Sequence, residues 1–176
     1  LHNNLGLIAS EQLDYKVALK HYKNTLLKSR NLGFPQAMGV TFLNLSNSYN
    51  ELEFRDSAIL YIDSSIQIFN EIGEFQFLPK AYFLKGTIIR DMGNLSSALG
   101  MIDSGLAFAK MIESKTDEAS GLRFKSTVLK ELKRYEEALE AYEEFYDISD
   151  SLAEVNNAEK IAELQLIYDI EKKDAN

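Results

Sequence analysis

Four alanines, Ala18, Ala58, Ala98 and Ala138, stand 40 residues apart in this chain. Other positions keep the same register. Twelve before each alanine come Gly6, Ser46, Gly86 and Ser126. Four after come Tyr22, Ile62, Ile102 and Tyr142, and eight after come Leu26, Ile66, Leu106 and Tyr146. Separations of three, four, seven and eight place side chains on one helical face. A small residue on each of two facing helices lets their backbones approach. Each unit therefore reads as two antiparallel helices with a short turn. One such unit cannot bury its own apolar face, whereas stacked units can. The fold class expected is an all-α solenoid.

The stretches "NLGLIASEQLDYKVALKHYKNTL", "NLSNSYNELEFRDSAILYIDSSI", "LKGTIIRDMGNLSSALGMIDSGL" and "FKSTVLKELKRYEEALEAYEEFY" resemble the tetratricopeptide repeat (TPR). The period usual in that family is about 34 residues; here it is 40, which implies longer helices or longer connections. The small-residue position and the central alanine are kept in every unit. Gly93 occupies the common turn position, where Leu13, Glu53 and Lys133 stand in the other units. The resemblance implies a right-handed α-α superhelix. Its units are expected at 1–34, 35–74, 75–114 and 115–150, with a capping or connecting helix at 151–176.

Along the chain, residues 1–11 read as the first helix, and Asp14 is placed to cap the next. Gly33 is placed to end that helix and Pro35 to begin another. Helices are expected over about 35–52, 55–70, 79–92, 95–113, 118–132 and 135–149. Asn94 caps the sixth helix in this reading and Thr116 the seventh, after a polar turn "SKTDE". The connection "NEIGEFQFLP" is unusually apolar. Phe75, Phe77 and Leu78 are expected to seal the junction between units; the other reading is an exposed binding patch. The helix "RYEEALEAYEEFYDI" is the most acidic stretch, and its glutamates read as a solvated outer face.

Composition narrows the function classes. The net charge is −8, and no basic cluster occurs, so a nucleic-acid-binding surface is not expected. There is no cysteine, so neither a disulfide framework nor a thiolate metal site is available. No run of about 18 apolar residues occurs, so no membrane span is expected within the segment. His2 and His21 lack metal-ligand spacing, and no glycine-rich phosphate loop or Gly-x-Ser-x-Gly turn is present. No cofactor, metal or intrinsic enzymatic activity is expected.

Binding is the better prospect. The inner wall of such a superhelix is lined by the first helix of each pair. The positions expected there are Asn3, Leu7, Leu43, Asn47, Asn50, Phe83, Thr87, Arg90, Arg123, Thr127 and Lys130. Asn47 and Asn50 suit the backbone of an extended peptide. Phe83 and Leu43 add apolar contact. Arg90, Arg123 and Lys130 suit a carboxylate, each desolvated contact being worth about 1.5–3 kcal/mol. The partner expected is a protein or peptide in this groove, bearing an acidic group. The other reading takes these cations as ordinary solvated charges paired with Asp91, Glu51 and Glu131. Chaperone-binding members of the family grip a carboxyl terminus with a set of Lys, Asn and Arg. Leu43 and Leu84 depart from that set here, which disfavours a co-chaperone role.

The tail "NAEKIAELQLIYDIEKK" is similar to the segment that follows such repeats in sensor histidine kinases and helix-turn-helix regulators of the Bacteroidetes. The matching residues are Lys160, Glu163, Tyr168, Glu171, Lys172 and Lys173. That resemblance implies a non-catalytic input module of a two-component or transcription-regulatory protein, leading to a coiled coil and a membrane. It also implies a homodimer through the C-terminal helix in the longer protein. The location would be the periplasmic side of a membrane-anchored protein, or the cytoplasm. The opening at Leu1 and the abrupt end fit a piece of a larger chain. The alternative is a free-standing adaptor. Ile161, Leu164 and Tyr168, at helical spacing, are expected to cap the apolar edge of the fourth unit.

Overall fold

The computed structural model describes the backbone of residues 2–174 and the side chains of residues 3–154. Its helices are α1 (His2–Glu11), α2 (Tyr15–Leu32), α3 (Pro35–Glu51), α4 (Arg55–Ile72), α5 (Leu78–Asp91), α6 (Leu95–Met111), α7 (Lys115–Glu131) and α8 (Tyr135–Asp174). A single 3-10 turn, Phe75–Phe77, precedes α5. Consecutive helices pack as antiparallel pairs, and the pairs stack into a TPR-like solenoid.

The turns follow from local chemistry. The Asp14 side chain accepts from Val17 N at 3.1 Å, and Asn94 from Ser97 N at 3.2 Å, satisfying otherwise orphaned N–H groups. Gly33 and Gly73 end α2 and α4 in the left-handed conformation, with φ of 66° and 73°. Within the pairs the same conformation falls on Leu13, Glu53, Gly93 and Lys133, so three units place a side-chain-bearing residue where glycine fits best. At α7 the cap is Ser114, which accepts from Asp117 N at 3.3 Å. Thr116, the expected cap, lies inside the first turn instead, because the helix starts at Lys115.

The small residues stand at the helix crossings. Ser46 Oγ donates to the Ala58 carbonyl at 2.8 Å, and Ser126 Oγ to the Ala138 carbonyl at 2.7 Å. In the third unit a Cβ on Gly86 would lie 2.9 Å from Ile102 Cγ1 and 3.2 Å from the Ala98 carbonyl oxygen. The position is therefore held by glycine, or by a serine whose hydroxyl bonds the opposing carbonyl. A second contact holds the far end of the second pair, where Ser65 Oγ donates to the Gly39 carbonyl at 2.8 Å.

The core is a chain of junctions. Tyr22 and Leu45 pack between the first and second units. Ile62, Ala81 and Ile88 pack between the second and third, and Ile102, Leu106, Leu122 and Val128 between the third and fourth. Each fully buried side chain of this size contributes about 1.5–3 kcal/mol. The aromatic connection seals one junction. Phe77 stacks on Phe69 with ring centroids 4.7 Å apart, Phe75 faces Phe108 at 6.3 Å, and Leu78 is fully buried.

Two expectations are corrected. No turn separates a helix ending near 149 from a following one; residues Tyr135–Asp174 form one helix of 40 residues. A continuous helix cannot fold back over its own unit. The capping role assigned to Ile161, Leu164 and Tyr168 concerns side chains outside the described residues. The membrane association implied by the tail is also corrected: among the described residues, no helix is long and apolar enough to cross a membrane.

Candidate functional site

The first helices α3, α5 and α7 line a cleft of about 360 Å³. From α3 come Asn47, Asn50 and Glu51. From α5 come Lys80, Phe83, Leu84 and Thr87, and from α7 come Asp117, Ser120 and Phe124. The helical spacing of Lys80, Phe83, Leu84 and Thr87 puts them on one face. Phe83 and Phe124, 5.8 Å apart between ring centroids, form the apolar floor.

The polar groups of the cleft are unevenly occupied. Asn50 is buried, and its Oδ1 accepts from Arg55 Nη1 at 3.3 Å. Among the described residues, the Asn50 NH2 group and the Asn47 amide have no hydrogen-bond partner, and Lys80 has no ion pair. Asp117 Oδ2 accepts from Ser114 Oγ at 2.8 Å. Glu51 faces Tyr15, whose phenol is pushed up by burial and then by that carboxylate. The cleft thus combines open amide groups, two carboxylates and one free ammonium around an aromatic floor.

Of the positions read from the sequence, Asn47, Asn50, Phe83 and Thr87 line this one cleft. Thr87 spends its hydroxyl on the Phe83 carbonyl at 3.0 Å. The other positions lie elsewhere. Arg90 is held by its neighbour Asp91, with Nη2 2.8 Å from Oδ1. Arg123 is exposed, and its guanidinium lies over the adjacent Phe124 ring at 5.7 Å. It borders a separate cleft of about 400 Å³ between α7 and α8, with Thr116, Phe145 and Leu152. Thr127 and Lys130 are exposed further along α7. Leu43 is half-buried against the core of the second and third units. Asn3 accepts from Asn44 Nδ2 at 3.3 Å and borders a cleft of about 240 Å³ with Thr25, Gln36 and Phe77. Leu7 is exposed on α1.

Sequence reasoning missed Lys80, Leu84, Asp117, Ser120 and Phe124 as lining, and placed Glu51 only as a charge partner. A signal existed for most of them. Extending the helical spacing one turn back from Phe83 reaches Lys80, and successive turns back from Thr127 reach Phe124, Ser120 and Asp117. Among the described residues, no group of three or more His, Cys, Asp or Glu could hold a metal ion.

No protein-family model matches the chain, and no curated protein matches it. Solved structures match its fold. BtubC (BKLC) from P. vanneervenii aligns over 86% of this chain and 63% of that one, with a TM-score of 0.77 at 15% identity. Aspartyl phosphate phosphatase F from Bacillus subtilis aligns over 84% of this chain and 48% of that one, with a TM-score of 0.61 at 17% identity. The MamA protein aligns over 85% of this chain and 72% of that one, also at 0.61 and 17%. The chain thus spans less than two thirds of the length of the first two, and identities this low establish the fold alone.

Proposed function

We propose that this chain is a non-catalytic binding module that takes an extended peptide segment in the α3–α5–α7 cleft. The observation that carries this reading is the set of open donors and acceptors there. Asn47 and the Asn50 NH2 group lie ready for a peptide backbone, and Lys80 has no counter-ion among the described residues. Burying such groups without partners costs free energy, so a ligand that satisfies them gains specificity. Phe83 and Phe124 suit an apolar side chain of the ligand. The charge expectation changes with the geometry. Arg90 is neutralised by Asp91, and the cleft itself presents Glu51 and Asp117 beside Lys80. A segment carrying a basic side chain next to an acidic one matches that lining better than a purely acidic segment.

The wider reading is an input module of a bacterial signal-transduction or transcription-regulatory protein. The continuous helix α8 supports it, because a rigid element leaving the last unit is suited to pass on a change in stacking. A ligand shifts that stacking only through different affinities for two states. A free-standing adaptor uses the same cleft without the transmission step.

The test is selection of short random peptides on the immobilised chain, followed by titration of the selected sequence. Asn47→Ala combined with Lys80→Glu should weaken it by about tenfold or more, given about 0.5–1.5 kcal/mol per neutral hydrogen bond and more for a charged one. Lys20→Ala, on α2, should leave it unchanged. A selected peptide that binds the double variant as tightly as the parent chain defeats the proposal.

A further inference from the structure

Two positions of the register depart from the pattern together, in the second unit. Three before the central alanine stand Tyr15, Arg55, Leu95 and Tyr135, and eight before it stand Ser10, Asn50, Arg90 and Lys130. An aromatic or aliphatic side chain serves the first of these positions in the other three units, so stacking of the repeats does not require an arginine there. Arg55 opens α4 and is half-buried. Among the described residues it forms no ion pair. Its Nη1 reaches across the turn to Asn50 at the end of α3, 3.3 Å from Oδ1 and 3.4 Å from the main-chain oxygen.

This contact fixes the sense of a buried amide. A guanidinium carries only donors, so the atom of the Asn50 carboxamide that faces it is the oxygen. The NH2 group is left on the other side of the same planar group. Asn50 lines the α3–α5–α7 cleft at only 7% exposure, while Arg55 stands outside it. Among the described residues nothing accepts from that NH2 group. Asn47, one turn back, has no such anchor, and its amide can turn either way. The device does not recur: Arg90 is tied to Asp91, and Lys130 is exposed. Turning the Asn50 amide over would set its NH2 against the guanidinium and forfeit a charge-assisted bond.

We infer that Arg55 is a positioning residue that makes Asn50 a donor-only contact, so that the bound segment presents an acceptor oxygen at that point of the cleft. This role rests on the cleft being the peptide site proposed above, and it adds which side of the amide meets the peptide.

Calorimetric titration of the peptide selected on the parent chain tests this, with chemical denaturation of each variant alongside. Asn50→Asp keeps the pair with Arg55, so it should keep the parent denaturation midpoint. Its carboxylate cannot donate, so affinity should fall about tenfold, as far as in Asn50→Ala or further. Arg55→Leu, which places the residue of the third unit in the second, should weaken the peptide by about threefold or more. In the Asn50→Ala background the same change should add no further loss, because Arg55 acts through that amide. An Asn50→Asp variant that binds as the parent does overturns the donor assignment. An Arg55→Leu loss as large in the Asn50→Ala background as alone overturns the positioning role and leaves Arg55 as a cation at the end of α3. In either case a peptide that still loses affinity for Asn47→Ala with Lys80→Glu keeps the cleft reading, so the two fail separately.

Discussion

The second and fourth units share a crossing and differ in what lies beyond it. In both, a serine of the first helix donates to the carbonyl of the central alanine, at 2.8 Å for Ser46 and 2.7 Å for Ser126. Four residues further on, Ile62 is fully buried while Tyr142 is half exposed. α5 covers the second unit, and among the described residues nothing covers the fourth. A pair is held together by its own sequence, but the burial of its outward face belongs to its neighbour.

The largest test of that contrast is truncation at the shared position. Ile62→Ala should cost about 2–5 kcal/mol in chemical denaturation, the range for removing a buried aliphatic side chain. Tyr142→Ala should cost well under half as much, because that residue is already half exposed, with its ring beside Phe145. Equal losses would mean that the fourth unit is covered in solution.

Next in size, Ser46→Ala and Ser126→Ala each remove one hydrogen bond inside a pair and should each cost about 0.5–1.5 kcal/mol. The contrast predicts that these two losses are similar, since the bond is internal to the unit. A large difference in the denaturation midpoints would show that the crossing also depends on the neighbour.

A smaller effect of opposite sign is expected at the turns. Glu53 and Lys133 adopt φ of 64° and 60°, a conformation that costs a side-chain-bearing residue about 1–2 kcal/mol. Glycine relieves that strain and loses part of the gain to its greater freedom when unfolded. Glu53→Gly and Lys133→Gly should each raise stability by about 0.5–1 kcal/mol. No gain at either site would show that the side chain there makes a compensating contact.

The smallest effect concerns pH. Burial pushes the phenols of Tyr22 and Tyr61 above their ordinary value of 10.0. The unfolded chain therefore releases these protons first. The stability they carry is complete below about pH 10 and declines as pH rises through the folded-state values. Tyr61→Phe should flatten part of that alkaline decline in denaturation midpoints. An unchanged slope in both Tyr22→Phe and Tyr61→Phe would place the titrating groups elsewhere.

The readable parts of the fold were those decided within one pair. The alanines, their glycine or serine partners and the caps Asp14 and Asn94 all act over a few turns of helix. The site was legible in part. Asn47, Asn50, Phe83 and Thr87 followed from their place on first helices. Arg90 stood between two readings, a groove cation or a partner of Asp91, and only a side-chain rotamer chooses the second; Leu43 did not follow, because its face turns toward Ala58 and Ile62. Thr116 was misread because Ser114 and Thr116 are both good caps and only the packing of α7 chooses between them.

By itself, the sequence determined the 40-residue period, the pairing of helices and the positions where those helices touch. These rest on helical spacing and side-chain size, which are properties of short stretches of chain. The tertiary structure alone decided which polar groups share a cleft, since Asn47, Lys80 and Asp117 come from three helices. It also decided that α8 continues to Asp174 and that Tyr142 stays exposed. A repeat motif carries the same face in every unit, and only the stacking of units determines which copies of that face find a partner.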